Sequence, residues 1–335
     1  MARAIVPAAD EIVDQYFPVL DHGFIALVDY MGDGQAIIDA ARTSYGAGTR
    51  KVREGRALTR FLYRQRHTSP FEMVELKFHC KMPIVVARQW IRHRMANVNE
   101  YSGRYSLMPM QFYTPKREQL TTQSESNRQG RTDNKLQVEA YEDFVRHLKE
   151  MRATGQIFYE AALEQNIARE LARNELPLSL YTEWYWKIDL HNLTHFLGLR
   201  CHDHAQWEVR QYANLMAGMV KRVAPDTFEA WLDYHPNMGG ALLSRQELDA
   251  LRFASDPSSL PPFKQLVMAH LATSGMSKRE TDTFSNLLSE SKPIPTFELD
   301  LTQAKSAEHF AELTRQYIPE VQGPSAGRDA RDTDG

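Results

Sequence analysis

The chain has 335 residues, 42% of them hydrophobic, and a formal net charge of −3. That length and apolar share support one large domain or two ordinary ones and exclude a disordered protein. The small net charge excludes a global basic field for wrapping nucleic acid, and two cysteines, Cys80 and Cys201, exclude a disulfide framework or a four-cysteine zinc site.

Residues 1–20 read as an N-terminal extension that precedes the first regular element. It lacks a secretory h-region, and no stretch approaches the ~20 apolar residues of a membrane span, so a cytoplasmic protein without a membrane partner is expected. Residues 23–28 read as a short strand. The Gly32-Asp33-Gly34 step after it lacks the third glycine of a dinucleotide fingerprint. Helices are expected at 35–42 and 56–65, the second with Leu58, Phe61 and Leu62 at helical spacing. Residues 74–80 alternate, with Val74, Leu76, Phe78 and Cys80 on one side and Glu75, Lys77 and His79 on the other, as a half-buried strand does. An apolar run at 83–90 leads into a cationic cluster. Residues 116–135 are polar with almost no apolar anchor and read as an exposed insertion. From Leu136 onward the pattern is helical, with Ala140, Tyr141, Phe144, Leu148 and Met151 on one stripe. Further helices are expected at 156–174, 189–199 and 205–222, the last placing Tyr212, Met216 and Met219 in the core. A weaker helical section at 240–295 begins with a capping-box spacing, Ser244 to Glu247, and the tail after Pro319 has no periodicity.

The chemistry concentrates in two places. Gln89 to Tyr105 gathers Arg92, His93, Arg94 and Arg104 around Asn97, Asn99, Glu100 and Ser102. Guanidinium groups are rarely ordered without a partner, and a Ser-Gly-Arg step offers a hydroxyl, free backbone N–H groups and a bidentate cation. Those parts suit a phosphate. The second cluster is Arg200-Cys201-His202-Asp203-His204-Ala205-Gln206-Trp207-Glu208, and Arg173 ends a helix before a Leu-Pro stop. His202 and Asp203 allow an alternative, a metal-dependent nucleotide phosphohydrolase, which needs further convergent ligands. A non-enzymatic RNA-binding module using the arginine cluster is another, and it would need a broader basic surface. Ser102 has no Gly-x-Ser-x-Gly elbow to make it a nucleophile.

Arg92-His93-Arg94, then seven residues, then Ser102 resembles the Arg-His-Arg-x7-Ser signature of the flavin-dependent thymidylate synthases. Separated segments resemble that family in the same order: His67-x-Ser69-Pro70-Phe71-Glu72, Leu176-Pro177-Leu178, and Leu199-Arg200 through Glu208. The likeness covers about residues 21–235, with 1–20 and 236–335 as extensions and 116–135 as an insertion. The resemblance implies an α/β or α+β fold with helices around a central, mostly antiparallel sheet, and a homotetramer with active sites shared between subunits. It implies conversion of dUMP to dTMP, with methylenetetrahydrofolate supplying the carbon and FAD, reduced by NADPH, supplying the hydride. No metal is implied. By residue, the resemblance assigns dUMP to Gln89, Trp90, Ile91, Arg92, Glu100, Tyr101, Ser102, Gly103, Arg104, Arg173 and Arg200, with Arg200 activating the uracil. It assigns FAD to Ser44, His67, Ser69, Glu72, Arg92, His93, Arg94, Glu100, Asp189, Leu190, His191 and His195.

Overall fold

The structure, a computed structural model, describes residues 5–43, 55–125, 130–254, 263–273, 281–282, 284–285 and 296–320. Ser44, the centre of the 116–135 insertion (126–129) and the tail after 320 lie outside the described residues. The chain divides into two units, 1–228 with 297–335, and 229–296.

The first unit is built on a five-stranded sheet in the order β1-β2-β3-β7-β4, every neighbour antiparallel. Its strands are β1 (Tyr16–Val19), β2 (Gly23–Met31), β3 (Glu75–Pro83), β4 (Asn97–Glu100) and β7 (Tyr181–Asp189). The alternation in β3 decides the two faces, because successive side chains point to opposite sides of a sheet. Phe78 and Cys80 pair with Trp186 and Trp184 of β7 on the apolar face. Over that face lie α5 (Ile84–Trp90), α8 (Leu190–Arg200) and α9 (Trp207–Val223). Trp90 stands edge-on to Trp184 and Trp186, with centroids 5.5 and 5.3 Å away, and Phe196 and Tyr212 complete the cluster. Such aromatic packing carries much of the burial energy of a core.

The opposite face mixes polar groups with the buried Tyr16, Phe24 and Ala26. His79 bonds Glu183 at 2.6 Å and Tyr16 at 2.9 Å, and Lys187 pairs with Glu75. One end of that face is covered by residues 297–320, which return to this unit after the second one. Lys305 and Tyr16 exchange backbone hydrogen bonds of 2.8 and 2.7 Å. Ser306 then caps α13 (Ala307–Arg315), and its Phe310 packs on Phe24 at 4.8 Å between centroids. Beneath this segment Lys81, 2% exposed, donates to Gln111 and to Thr314. Burial draws its ammonium down to about 8.

Several elements differ from the sequence expectation. The N-terminal stretch is not free of regular structure: it forms α1 (Pro7–Asp10) and the edge strand β1. The helices at 35–42 and 56–65 are present as α2 (Gly34–Thr43) and α3 (Gly55–Arg64), and α4 (Ser69–Glu72) follows. The insertion holds a hairpin, β5 (Thr121–Gln123) against β6 (Arg131–Lys135). The two helices expected around 136–174 are one 27-residue helix, α6 (Val138–Glu164), followed by α7 (Arg169–Ala172). Part of the expected stripe faces outward: Phe144 is 41% and Met151 70% exposed, while Tyr141 and Leu148 are half-buried. No helix among the described residues is long and apolar enough to cross a membrane.

The second unit holds α11 (Arg245–Ala254) and α12 (Phe263–Ala272), and α10 (Pro225–Tyr234) spans the boundary between the two units. Its own small core is Ala250, Val267, Leu271 and Phe284. The capping box is formed: Ser244 N–H donates to Glu247 Oε2 at 2.6 Å, and Glu247 N–H donates to Ser244 Oγ at 3.2 Å.

Candidate active site

The site is arranged around α5. Pro83 ends β3, and the first free N–H groups of the helix, on Ile84 and Val85, donate to Leu180 and Leu178 carbonyls at 2.9 and 3.0 Å. The helix stops at Trp90, whose side chain is fully buried in the aromatic core, and Ile91 caps it. The chain then presents Arg92, His93 and Arg94 before β4. Arg92 and Arg94 are exposed and have no ion pair among the described residues.

His93 is half-buried against Phe196, with centroids 4.8 Å apart, and His195 lies 6.1 Å away. Arg200, the last residue of α8, donates from Nε to His93 Nε2 at 3.1 Å and from a terminal nitrogen to the Gln89 carbonyl at 3.5 Å. An accepting ring nitrogen must be unprotonated. Burial, then the Arg200 charge, then His195, bring His93 down to about 4, so it is neutral at physiological pH. Arg200 has no carboxylate partner among the described residues, and burial lowers its pKa from the ordinary guanidinium value.

A second constellation follows β4. Glu100 ends that strand and accepts from Thr182 Oγ1 at 2.6 Å. Tyr101 N–H donates to the Glu183 carbonyl, and its hydroxyl donates to Leu107 O. The Ser102 carbonyl accepts from Tyr105 and Ser106 N–H at 3.1 Å, which folds the loop into a tight turn. Arg104 N–H donates to Ser102 Oγ at 3.3 Å, and its Nε pairs with Glu170 of α7 at 3.0 Å. Gly103 is where Arg173 meets this loop. A Cβ there would stand 2.5 Å from Met108 Sδ and 3.2 Å from two Arg173 side-chain atoms. Gly155 of α6 does the same service for the turn that carries Arg173: a Cβ there would lie 3.1 Å from the Glu175 carbonyl. The Ser102–Arg104 loop and Arg173 are thus brought together.

The described residues assigned to FAD fall on α4 and just before it, on the His93 turn, at the ends of β4 and β7, and on α8; α4 packs on α8. His67 stacks on Phe61 ahead of Ser69 and Glu72. Asp189 caps α8: Oδ1 accepts from Asn192 N–H at 2.9 Å and Oδ2 from Asn192 Nδ2 at 2.7 Å. Leu190 is fully buried, so its side chain is core, while His191 and His195 lie on the helix after it.

The His202-Asp203 pair is engaged otherwise. Asp203 pairs with Arg210 at 2.7 Å, His202 Nδ1 accepts from His204 N–H at 3.2 Å, and no metal-competent cluster of three ligands occurs among the described residues. The residue that sequence reasoning passed over is Arg131. It sits in a polar run with nothing to distinguish it, yet it pairs with buried Glu208 at 2.7 Å.

Fold and site together define an α+β protein whose guanidinium groups gather at the ends of α5 and α8 and at the loop after β4. Comparison with known proteins narrows that class. The thymidylate synthase complementing protein family matches residues 26–226. The flavin-dependent thymidylate synthase of Wolbachia pipientis wMel is 48% identical over 250 residues, covering 75% of this chain and 87% of that protein. That of Rickettsia bellii is 43% identical over 301 residues, covering 85% and 98%. Among solved structures, a UMP/dUMP methylase from Streptomyces cacaoi bound with 5-Br dUMP superposes with a TM-score of 0.59 at 29% identity, covering 65% of this chain and 97% of that one. The chain belongs to the family of the flavin-dependent thymidylate synthases.

Proposed function

We propose that this chain makes dTMP from dUMP by reductive methylation at uracil C5, with methylenetetrahydrofolate as carbon donor and FAD, reduced by NADPH, as hydride source. The observation that carries the reading is Arg200: a half-buried guanidinium with a neutral imidazole, not a carboxylate, as its side-chain partner. A permanent cation beside uracil O2 and N3 favours the N3-deprotonated ring and raises electron density at C5. Ser102, the Gly103 N–H, Arg104 and Arg173 hold the phosphate, and Gln89, Arg92 and Glu100 orient the nucleotide. Catalysis by these residues is positioning and electrostatics.

Arg92 and Arg94, with no ion pair among the described residues, and the neutral His93 imidazole suit FAD. Arg92 and Arg94 would hold its diphosphate, and His67, Ser69, Glu72, His93, His191 and His195 would line the remainder. Bound flavin supplies the hydride that completes the methyl group.

The assembly in this reading is a cytoplasmic homotetramer with the catalytic domain at 21–235. Two features support shared sites. The Ser102–Arg104 loop and the Arg200–Gln89 group make no hydrogen bond or ion pair to each other among the described residues, so a second copy can bring the missing half. The outer face of α6 exposes Phe144, Met151, Ile157 and Phe158, a patch suited to another subunit.

The visible spectrum of the purified protein tests the reading. A flavin band that bleaches with NADPH, faster when dUMP is present, is expected. Absence of flavin binding even with FAD added would overturn it.

A further inference from the structure

Glu208, in the first turn of α9, is 3% exposed, and the side chains that hydrogen-bond its carboxylate among the described residues are all donors. Arg131 donates to Oε2 at 2.7 Å, Gln206 Nε2 to the same oxygen at 2.8 Å, and the Tyr113 hydroxyl to Oε1 at 3.0 Å. Burial alone would raise this carboxyl, but the hydrogen bond and charge of Arg131, then Gln206, outweigh it and hold Glu208 below its ordinary value.

A carboxylate only accepts, so Gln206 must turn its NH2 group towards Glu208. Its Oε1 is then left for Gln89, whose Nε2 donates to it. The Gln89 backbone carbonyl in turn receives Arg200. A chain of fixed polarity therefore runs from the inserted hairpin to the Gln89 carboxamide, beside the backbone carbonyl that receives Arg200. We propose that Arg131 is a positioning residue for dUMP: acting through Glu208 and Gln206, it fixes which way the Gln89 carboxamide faces. The proposal rests on the assignment of Gln89 to dUMP above.

The consequence is a pH signature. Without Arg131, burial pushes the Glu208 carboxyl up, and a protonated Glu208 presents an O–H against which Gln206 can turn over. At higher pH Glu208 ionises again and the polarity is restored. The test measures dUMP and FAD affinities and Tm for wild type, Arg131→Met, Arg131→Lys and Glu208→Gln across the near-neutral range. Relative to wild type, Arg131→Met should bind dUMP about tenfold more weakly at the acidic end, as for loss of a hydrogen bond to a charged group. That ratio should shrink as pH rises, FAD affinity should hold, and Arg131→Lys should stay within about twofold of wild type. Glu208→Gln should lose dUMP affinity with no recovery at high pH.

A ratio that does not change with pH would overturn the proposal. So would dUMP affinity, FAD affinity and Tm falling together, because then the hairpin only props the fold. Failure of the wild type to bind dUMP would overturn the parent reading, and this one with it. Normal wild-type binding with unaltered variants overturns this one alone.

Discussion

Gly103→Ala tests the phosphate cradle with a single methyl group. The added Cβ would stand 2.5 Å from Met108 Sδ and 3.2 Å from Arg173 Cδ and a terminal nitrogen. Normal carbon contacts lie at about 3.5–4.0 Å, so something must move. The obstructing atoms belong to side chains, and Met108 is buried at 6% exposure against Tyr159, so Arg173 has the freer path. Overpacking a buried site typically costs ~1–3 kcal/mol, and a flexible neighbour places this one near the lower end. For a domain of this size that is a Tm loss of roughly 2–4 °C per kcal/mol. The larger effect should fall on function. In the proposed cradle, moving Arg173 off the loop should remove one charge-assisted contact to the phosphate, about tenfold in dUMP affinity, or ~1.4 kcal/mol. Thermal denaturation and equilibrium dUMP binding on the same sample read the two effects separately, with FAD affinity as control. A lowered Tm with unchanged dUMP affinity would refute the placement of Arg173 in the cradle.

Other perturbations have equally definite outcomes. Arg200→Ala should abolish dTMP formation while FAD stays bound, and turnover near wild type would sink its role. The same variant removes a positive neighbour from His93, so its imidazole should titrate above the wild-type value of about 4, readable by NMR. The folded state holds His93 unprotonated where an unfolded chain would protonate it. Wild-type stability should therefore fall as pH drops from about 6.5 towards 4, and less steeply in the variant. Asp189→Ala should cost about 1 kcal/mol through loss of the α8 cap, whereas Asp189→Asn should cost little; equal losses would mean the carboxylate does more than cap. Phe310→Ala should destabilise by ~3 kcal/mol, since it leaves a void beside Phe24 and Tyr16, and an unchanged Tm would show that residues 297–320 are not part of that core.

Local patterns were legible in the sequence. The alternation around Phe78 and Cys80, the helical spacing through Tyr212 and Met216, and the Ser244–Glu247 cap each depend on residues close in the chain. So does the run from Arg92 to Ser102, because one turn and one edge strand carry it. What escaped depends on distant partners. The edge strand at Tyr16 forms because Ala26 and Lys305 flank it. The stripe has helical period, but Phe144 and Met151 stay exposed among the described residues, so periodicity named the helix and misplaced part of its burial. Trp90 and Leu190 sit inside functional motifs, yet their side chains are core, since a motif records neighbours in sequence rather than which way each side chain points. Arg131 gained its meaning only from Glu208, 77 positions away.

The most direct test of the central claim is dUMP carrying tritium at C5. Methylation there replaces that hydrogen, so dTMP formation must release tritium to water. The account predicts release that requires FAD, NADPH and methylenetetrahydrofolate together and that Arg200→Ala abolishes. Protein that holds flavin and binds dUMP but releases no tritium would contradict it.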